Sequence, residues 1–213
     1  MNFEIASVFS KLQNYKHMKP KIKKTGLFFG SFNPIHNGHL ILANYMAEFT
    51  DLNEVWFVVS PQNPLKDKST LLPEHHRLAL VRIAIEDQRN LGVTDIEFKM
   101  PKPSYTIDTL TWLSDKYENR YFVLISGTDI FSSFHKWKNH REILEFYSIY
   151  VYPRPGSGLG EYSGHPKIKL FKAPMLEISS SFIRKGIKEK KDMRYWMPDK
   201  VYEYILEMHF YEK

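Results

Sequence analysis

Short apolar runs alternate with longer segments of helical periodicity along most of this chain. The apolar runs predict strands at residues 25–30, 54–60, 93–98, 121–127, 148–153 and 167–171. The periodic segments predict helices at residues 39–49, 73–87, 104–117, 178–187 and 198–210. Strands that alternate with helices of this length form βαβ units, so the pattern predicts an α/β fold. We expect a Rossmann-like, doubly wound, mostly parallel sheet with helices on both faces, whose ligand lies at the carboxyl ends of the strands.

The first 24 residues do not share this alternation. They combine a short amphipathic stretch with a basic linker, and we predict that residues 1–24 form a peripheral N-terminal extension. Residues 25–213 are predicted to form a single domain, because a chain of 213 residues with 43% hydrophobic content supplies one sizeable core.

The composition excludes several kinds of chemistry. The chain has no cysteine, so it can have no disulfide framework, no thiolate metal site and no cysteine nucleophile. The apolar runs are too short to span a membrane, and the N-terminus lacks the apolar core of a secretory signal. These features predict a cytoplasmic protein that has no membrane partner.

The formal net charge is +6, which fits two interpretations. It can reflect a solvated, lysine-rich surface, or it can favour a polyanionic partner, either a nucleic acid or a small polyphosphate. Charge alone does not decide between them.

The segment GSFNPIHNGH (residues 30–39) lies between the first predicted strand and the first predicted helix, at the expected ligand-binding edge. Gly30 permits close approach of backbone and ligand, and Ser31 adds a hydroxyl. Free N–H groups in such a turn, with a helix dipole behind them, favour an anion by up to about 2 kcal/mol. His36 in the loop and His39 in the first helical turn could both donate hydrogen bonds to one phosphate.

Other interpretations of the two histidines are weaker. Their spacing is not the i, i+4 pair of a helical metal site, and no third ligand lies nearby in the sequence, so we predict no protein-held metal. A single histidine in a loop is often only solvated. Two histidines that follow a Gly-Ser turn after a buried strand make this interpretation weaker.

GSFNPIHNGHL resembles the HxGH signature of the nucleotidyltransferase superfamily, and ISSSFIR (residues 178–184) resembles its second signature. KPSYTIDTL (residues 102–110) resembles the segment that receives the pyridine carboxylate in bacterial nicotinate-nucleotide adenylyltransferases. SGTDIFSSFHKW (residues 126–137) resembles the Gly-x-Asp segment of the same family. The resemblance covers residues 25 to 208 and makes residues 25–213 a single nucleotidyltransferase domain.

This resemblance implies an enzyme that joins nicotinate mononucleotide to the AMP part of ATP, giving deamido-NAD and pyrophosphate for NAD biosynthesis. The phosphate of the mononucleotide attacks the α-phosphorus in line, so no enzyme nucleophile is needed, and catalysis is mostly positioning and charge stabilisation. The implied partners are these two nucleotides and no nucleic acid, and a homo-oligomer remains open. Mg²⁺ is the implied cofactor, held mainly by the ATP phosphates.

The resemblance also implies roles for individual residues. His36 and His39 are the implied catalytic residues. The residues implied to bind ATP are Gly30, Ser31, Phe32, His36, His39, Gly127, Asp129, Ser179, Ser180 and Arg184. Arg184 suits a pyrophosphate because its donors are forked, although an ordinary surface arginine remains an alternative.

A second group is implied to bind nicotinate mononucleotide. Its members are Ser31, Lys66, Tyr105, Thr106 and Trp137. In this group Tyr105 and Thr106 offer backbone N–H groups to the carboxylate, and Trp137 stacks on the pyridine ring unless it is a plain core aromatic. The chain departs from the family at Leu65 and Lys138, where the family often has histidine and tyrosine.

Three alternatives remain open. A sister adenylyltransferase acting on nicotinamide mononucleotide or phosphopantetheine would share both phosphate motifs. A basic nucleic-acid-binding module would explain the charge of +6, but the aromatic residues lie mostly in core-like strand runs. A nucleotide sensor that binds ATP without chemistry agrees poorly with two intact phosphate motifs. We interpret GSGLG (residues 156–160) as a flexible loop and EHHRL (residues 74–78) as a solvated helix start.

Overall fold

The computed structural model describes residues 22–61 and 71–213. Its sheet has six strands, which are β1 (Lys23–Gly30), β2 (Glu54–Val59), β3 (Leu91–Thr94), β4 (Arg120–Gly127), β5 (Ser148–Tyr152) and β6 (Ile168–Leu170). All neighbouring pairs are parallel, in the order β3-β2-β1-β4-β5-β6. This confirms the predicted doubly wound sheet, whose strand order reverses between β1 and β4.

Within residues 22–61 and 71–213, six α-helices connect or flank the strands. They are α1 (Asn37–Glu48), α2 (Glu74–Ile85), α3 (Thr106–Lys116), α4 (His140–Phe146), α5 (Ser180–Lys188) and α6 (Asp199–Glu207). Five lie where the sequence predicts them. The exception is α4, a seven-residue helix in which only Ile143 is buried, so it has no apolar periodicity to detect.

The prediction of one strand over residues 93–98 was wrong. β3 ends at Thr94, and a 3₁₀ helix, Ile96–Lys99, follows it. Val93 pairs with Phe57 in the sheet, whereas Ile96 and Glu97 turn into the interior. The apolar residues therefore belong to two elements, which a single sequence run cannot distinguish.

Each face of the sheet carries its own hydrophobic core. Alternation along the central strand explains this, since Leu27 belongs to one cluster and Phe28 to the other. One cluster includes α1, α2, α5 and α6, and the other includes α3 and α4. β1 and β4 are buried on both faces, so their sequences are continuous apolar runs.

The predicted extension over residues 1–24 falls mostly outside the described residues. β1 begins at Lys23, whose N–H donates to the carbonyl of Asn119 at 2.9 Å. Within residues 22–61 and 71–213, no helix has both the length and the apolar character needed to cross a bilayer.

Candidate active site

The turn between β1 and α1 (residues 31–36) lies at the carboxyl end of the central strand, as the sequence predicts. His36 is the N-cap residue of α1, and His39 lies in its first turn. The His36 N–H donates to His39 Nδ1 at 3.3 Å, and the two rings stack with centroids 3.7 Å apart. Because Nδ1 of His39 accepts this bond, its proton is on Nε2, which makes Nε2 a donor.

Two buried side-chain atoms in the described part of the chain have no hydrogen-bond partner: His36 Nδ1 and Arg154 Nε. Burial lowers the pKa of His36 to about 4, and the charge of Arg154 lowers it further. His36 is therefore neutral at neutral pH and lies close enough to Arg154 to feel its field. Buried polar atoms are normally paired, so both atoms have hydrogen-bonding capacity left for a polar group from outside the chain.

Arg154 follows β5 and adjoins the end of β4. Its backbone N–H donates to the Thr128 hydroxyl at 2.8 Å, and its guanidinium lies 5.3 Å from the ring centre of Tyr152. A Cβ on Gly127 would lie 2.8 Å from Arg154 Cγ and 2.3 Å from Asp129 Oδ1. A side chain at residue 127 would therefore displace Asp129 or Arg154, which both lie where its Cβ would be.

Arg77 is fully buried in α2 and makes four hydrogen bonds to backbone carbonyls. Nε donates to Leu72, Nη1 to both Ser31 and Ser60, and Nη2 to Pro61, at 2.6–2.9 Å. Burial lowers the pKa of Arg77, with Glu74 opposing that effect. The interpretation of EHHRL as a solvated helix start was wrong for Arg77. The surrounding residues of this segment are mostly polar, so the sequence does not show that the arginine side chain points into the protein.

The bond from Arg77 fixes how the β1–α1 turn presents its amides. The C=O and N–H of a trans peptide point in opposite directions, so a Ser31 carbonyl aimed at Arg77 turns the Phe32 N–H away from it. Phe32 has a φ of 45°, a left-handed conformation, and its ring packs where a Cβ on Gly30 would lie, at 2.7 Å. Gly30 is thus needed for the Phe32 ring, and not only for a ligand as the sequence suggests.

Residues at the start of α5 hydrogen-bond to the other side of the same turn. Ser179 caps the helix by accepting from the Phe182 N–H at 3.2 Å. The Ser180 hydroxyl donates to the Pro34 carbonyl at 2.9 Å, and Arg184 Nη1 donates to the Asn33 carbonyl at 2.8 Å. The structure thus brings together the two signatures, about 140 residues apart in sequence, at one sheet edge.

A second group of predicted residues surrounds the N-terminus of α3. Tyr105 is the N-cap residue, and no described side chain caps the helix there. Lys138 reaches this point from the segment after β4. Its Nζ donates to Asp108 at 2.8 Å and lies 4.7 Å from the centre of the Tyr105 ring. The half-buried Trp137 packs on Phe134, with ring centroids 5.3 Å apart, against the hydrophobic cluster that also contains Ile107 of α3.

Lys66 and the departure at Leu65 lie outside the described residues. Among those that are described, no group of three histidine, aspartate or glutamate side chains could hold a metal ion. Asp129 remains a single exposed carboxylate at the sheet edge. Mg²⁺ commonly uses one carboxylate together with substrate phosphates and water, so this donor set fits that ion.

The sequence did not reveal Arg77 or Arg154. The hydrogen-bond partners of both include groups from other elements, and neither residue belongs to a motif of regular spacing. The signal that could have found Arg154 is its place directly after an apolar strand, in YPRPG (residues 152–156).

Comparison with known proteins identifies relatives of the whole domain. Residues 27–186 match the cytidylyltransferase-like family model. The chain is 53% identical over 188 residues to the probable nicotinate-nucleotide adenylyltransferase of Cytophaga hutchinsonii, covering 88% of this chain and 98% of that protein. It is 52% identical over 192 residues to the one from Flavobacterium psychrophilum, covering 89% of this chain and all of that protein.

A solved structure has the same fold. The Plasmodium falciparum nicotinic acid mononucleotide adenylyltransferase complexed with NaAD superposes with a TM-score of 0.75. The sequence identity is 22%, and the match covers 89% of this chain and 98% of that one.

Proposed function

Because the chain belongs to the nicotinate-nucleotide adenylyltransferase family, we propose that it transfers AMP from ATP to nicotinate mononucleotide. The products are deamido-NAD and pyrophosphate. A phosphate oxygen of the mononucleotide forms a bond to the α-phosphorus of ATP. The bond from that phosphorus to the bridging oxygen breaks, and pyrophosphate leaves with the electron pair. No covalent enzyme intermediate is needed, which suits a chain that has no cysteine.

The observation that carries the proposal is the pair of buried atoms without partners, His36 Nδ1 and Arg154 Nε. Both lie at the carboxyl edge of the sheet beside the reversal of strand order, where ligands of doubly wound folds bind. Phosphate oxygens are acceptors that could satisfy the Arg154 donor, and a protonated His36 Nδ1 could donate as well. An anion there would also offset the charge of Arg154.

In the proposed mechanism the two histidines act on the triphosphate. His39 donates from Nε2 to an oxygen that gains charge as the α-phosphorus is attacked. His36, neutral in the free protein because of burial, can take up a proton when the polyanion binds, since a nearby negative charge raises the pKa of an imidazole. Together they stabilise charge that develops in the transition state.

The other proposed ATP contacts come from the β1–α1 turn, the end of β4 and the start of α5. We propose that the Phe32 N–H and the Ser31 hydroxyl contact phosphates, and that Gly30 shapes the turn for them. Gly127 permits close approach of the nucleotide, and Asp129 bonds its ribose or a metal-bound water. From α5, the proposed ligands of the β- and γ-phosphates are Ser179, Ser180 and Arg184. Because the Ser180 hydroxyl already donates to Pro34, Ser180 would act through its backbone N–H, whereas Ser179 would use its hydroxyl and Arg184 the donors not bound to Asn33.

Nicotinate mononucleotide is proposed to bind at the N-terminus of α3. Tyr105 and Thr106 offer backbone N–H groups, and the helix dipole favours the carboxylate. Trp137 stacks on the pyridine ring, a contact worth about 0.5–1.5 kcal/mol. Ser31 and Lys66 are proposed to bind the phosphate of the mononucleotide.

Enzymes of this kind use Mg²⁺, which neutralises phosphate charge and orients the leaving pyrophosphate. Of the described residues, Asp129 is the one proposed to bind its water shell, with the phosphates supplying the other ligands. The protein's own contribution remains the positioning of the two nucleotides and the donors of His39 and Arg154.

The test is pyrophosphate release from ATP and Mg²⁺ with either nicotinate or nicotinamide mononucleotide as acceptor. A kcat/KM that strongly favours the acid supports the proposal. Equal values for acid and amide would keep the adenylyl transfer but remove the carboxylate-binding role of Tyr105 and Thr106. Turnover of phosphopantetheine alone would replace the proposal with the sister reaction.

A further inference from the structure

Glu97 is a buried carboxylate, 3% exposed, in the 3₁₀ helix after β3, and the proposed reaction leaves it without a role. Its Oε2 accepts from the Ser104 hydroxyl at 3.1 Å, and its Oε1 accepts from the Thr109 hydroxyl at 2.8 Å. Ser60, at the end of β2, supplies a third hydroxyl. Burial raises the pKa of Glu97, and the three hydrogen bonds oppose that effect.

The partners of Glu97 lie on both sides of the segment proposed to bind the nicotinate carboxylate. Ser104 immediately precedes the N-cap residue Tyr105, and Thr109 lies one turn into α3. The Thr109 N–H donates to the Tyr105 carbonyl at 3.1 Å, which closes the first helical bond. Two of the hydroxyls that Glu97 holds therefore fix the entry and the first turn of this helix.

The bond to Ser104 has a second consequence. Serine near a helix start usually turns its oxygen to the first N–H groups of the helix. Here the hydroxyl donates to Glu97, and α3 has no side-chain cap among the described residues. The first N–H groups of α3 thus remain available to an acceptor from outside the chain.

Stability alone is a poor reason for this arrangement. A carboxylate removed from water costs free energy unless it is fully paired, and its partners here are neutral hydroxyls rather than a cation. Apolar side chains in place of both Glu97 and its hydroxyl partners would avoid that cost. The geometry favours a role in placing Ser104 and Thr109.

We propose that Glu97 is a positioning residue that holds the first turn of α3 in the conformation that binds the carboxylate of nicotinate mononucleotide. It does not touch the substrate and acts through the Ser104 and Thr109 hydroxyls. This inference rests on the proposed function, since it deepens the acid-over-amide preference of the same site.

The test compares Glu97→Gln and Ser104→Ala with the wild type, using nicotinate and nicotinamide mononucleotides as acceptors. We expect Glu97→Gln to raise the KM for the acid about tenfold and to lower the acid-over-amide ratio of kcat/KM about as much. The KM for ATP should stay within about twofold. Ser104→Ala, which removes one half-exposed hydroxyl, should shift the same ratio about threefold.

Ser114→Ala is the matched control, because it removes a bonded hydroxyl from the far half of α3, where Ser114 Oγ lies 3.3 Å from the Tyr147 hydroxyl. It should leave the ratio unchanged. If Glu97→Gln does not fold, Ser104→Ala decides alone. An unchanged ratio in Ser104→Ala, or an equal loss for acid and amide, overturns the inference while the function stands. A wild type without acid preference overturns the carboxylate-binding part of the function, and the inference with it.

Discussion

Single side chains at this site act through the protonation state that their surroundings impose. His39 has its proton on Nε2 because Nδ1 accepts the His36 N–H. His36 lacks a partner at Nδ1 and is kept neutral by burial and by Arg154. The two rings are stacked, yet their different hydrogen bonding gives them different chemistry.

His39→Ala tests the proposed transition-state donor. We expect kcat to fall roughly 10²–10³-fold with a modest change in KM, since the donor acts on charge that develops only during the reaction. Steady-state kinetics at saturating nicotinate mononucleotide measures both constants. A loss of tenfold or less would show that His39 does not stabilise the transition state.

His36 makes a pH-dependent contribution to stability. Its pKa in the native state is about 4, below the ordinary value of 6.5, so the unfolded chain binds more protons between these values. The stabilisation from a neutral His36 is complete above pH 6.5 and is lost as the pH falls toward 4, by up to about 3 kcal/mol.

Urea unfolding between pH 4.5 and 7 checks this without nucleotide present. The free energy of unfolding of the wild type should fall more steeply with acidification than that of His36→Asn. His75→Asn, which changes an exposed histidine, should follow the wild type. Parallel curves for the wild type and His36→Asn would contradict the assignment.

At the scale of elements, the β1–α1 turn is held from several sides. Arg77 of α2 binds the Ser31 carbonyl, Arg184 of α5 binds the Asn33 carbonyl, and the Tyr211 hydroxyl donates to Asn33 Oδ1 at 2.7 Å. Burial raises the pKa of Tyr211 well above its ordinary range, so it remains a donor. The shape of the turn therefore depends on three elements that are distant in sequence.

Arg77→Met tests this dependence. The substitution removes four hydrogen bonds to buried backbone carbonyls, so we expect the free energy of unfolding to fall by about 2–4 kcal/mol. We also expect the KM for ATP to rise, because the Ser31 carbonyl loses the bond that orients the turn. Arg82→Met, the same change at an exposed position of α2, is the control and should do neither. A destabilised variant whose KM for ATP is normal would show that Arg77 supports the fold but not the turn.

At the scale of the molecule, the parallel sheet separates its two ends. β1 has eight residues, so its N-terminal end lies about 26 Å from the turn that carries the histidines. Everything proposed for catalysis lies at the carboxyl ends of the strands.

A chain that begins at residue 22 should therefore keep kcat and both KM values within about twofold of the full chain. Thermal unfolding of the two chains, measured beside the kinetics, separates a loss of fold from a loss of activity. A selective rise in either KM would contradict the peripheral role predicted for the extension.

The sequence predicted the positions of strands and helices better than it predicted the side-chain contacts between them. Local sequence patterns are enough to predict strands such as β1, because a strand buried on both faces is a continuous apolar run. They are also enough to predict the turn with His36 and His39, because small residues and histidines follow that run directly. They do not suffice for Arg77 or Glu97, whose roles come from groups contributed by other elements. A helical pattern shows that a residue is in α2 but not which carbonyls surround it.

The two unpartnered atoms, His36 Nδ1 and Arg154 Nε, also affect how long the protein survives. Unfolding exposes them to water, whereas a bound triphosphate could pair with them without unfolding, so the nucleotide stabilises the folded chain. At a hundred times its Kd a ligand adds about 2.7 kcal/mol, enough to slow cleavage by proteases that act on unfolded chains. On the proposed function, we therefore expect a larger supply of nucleotide to lengthen the lifetime of the folded protein.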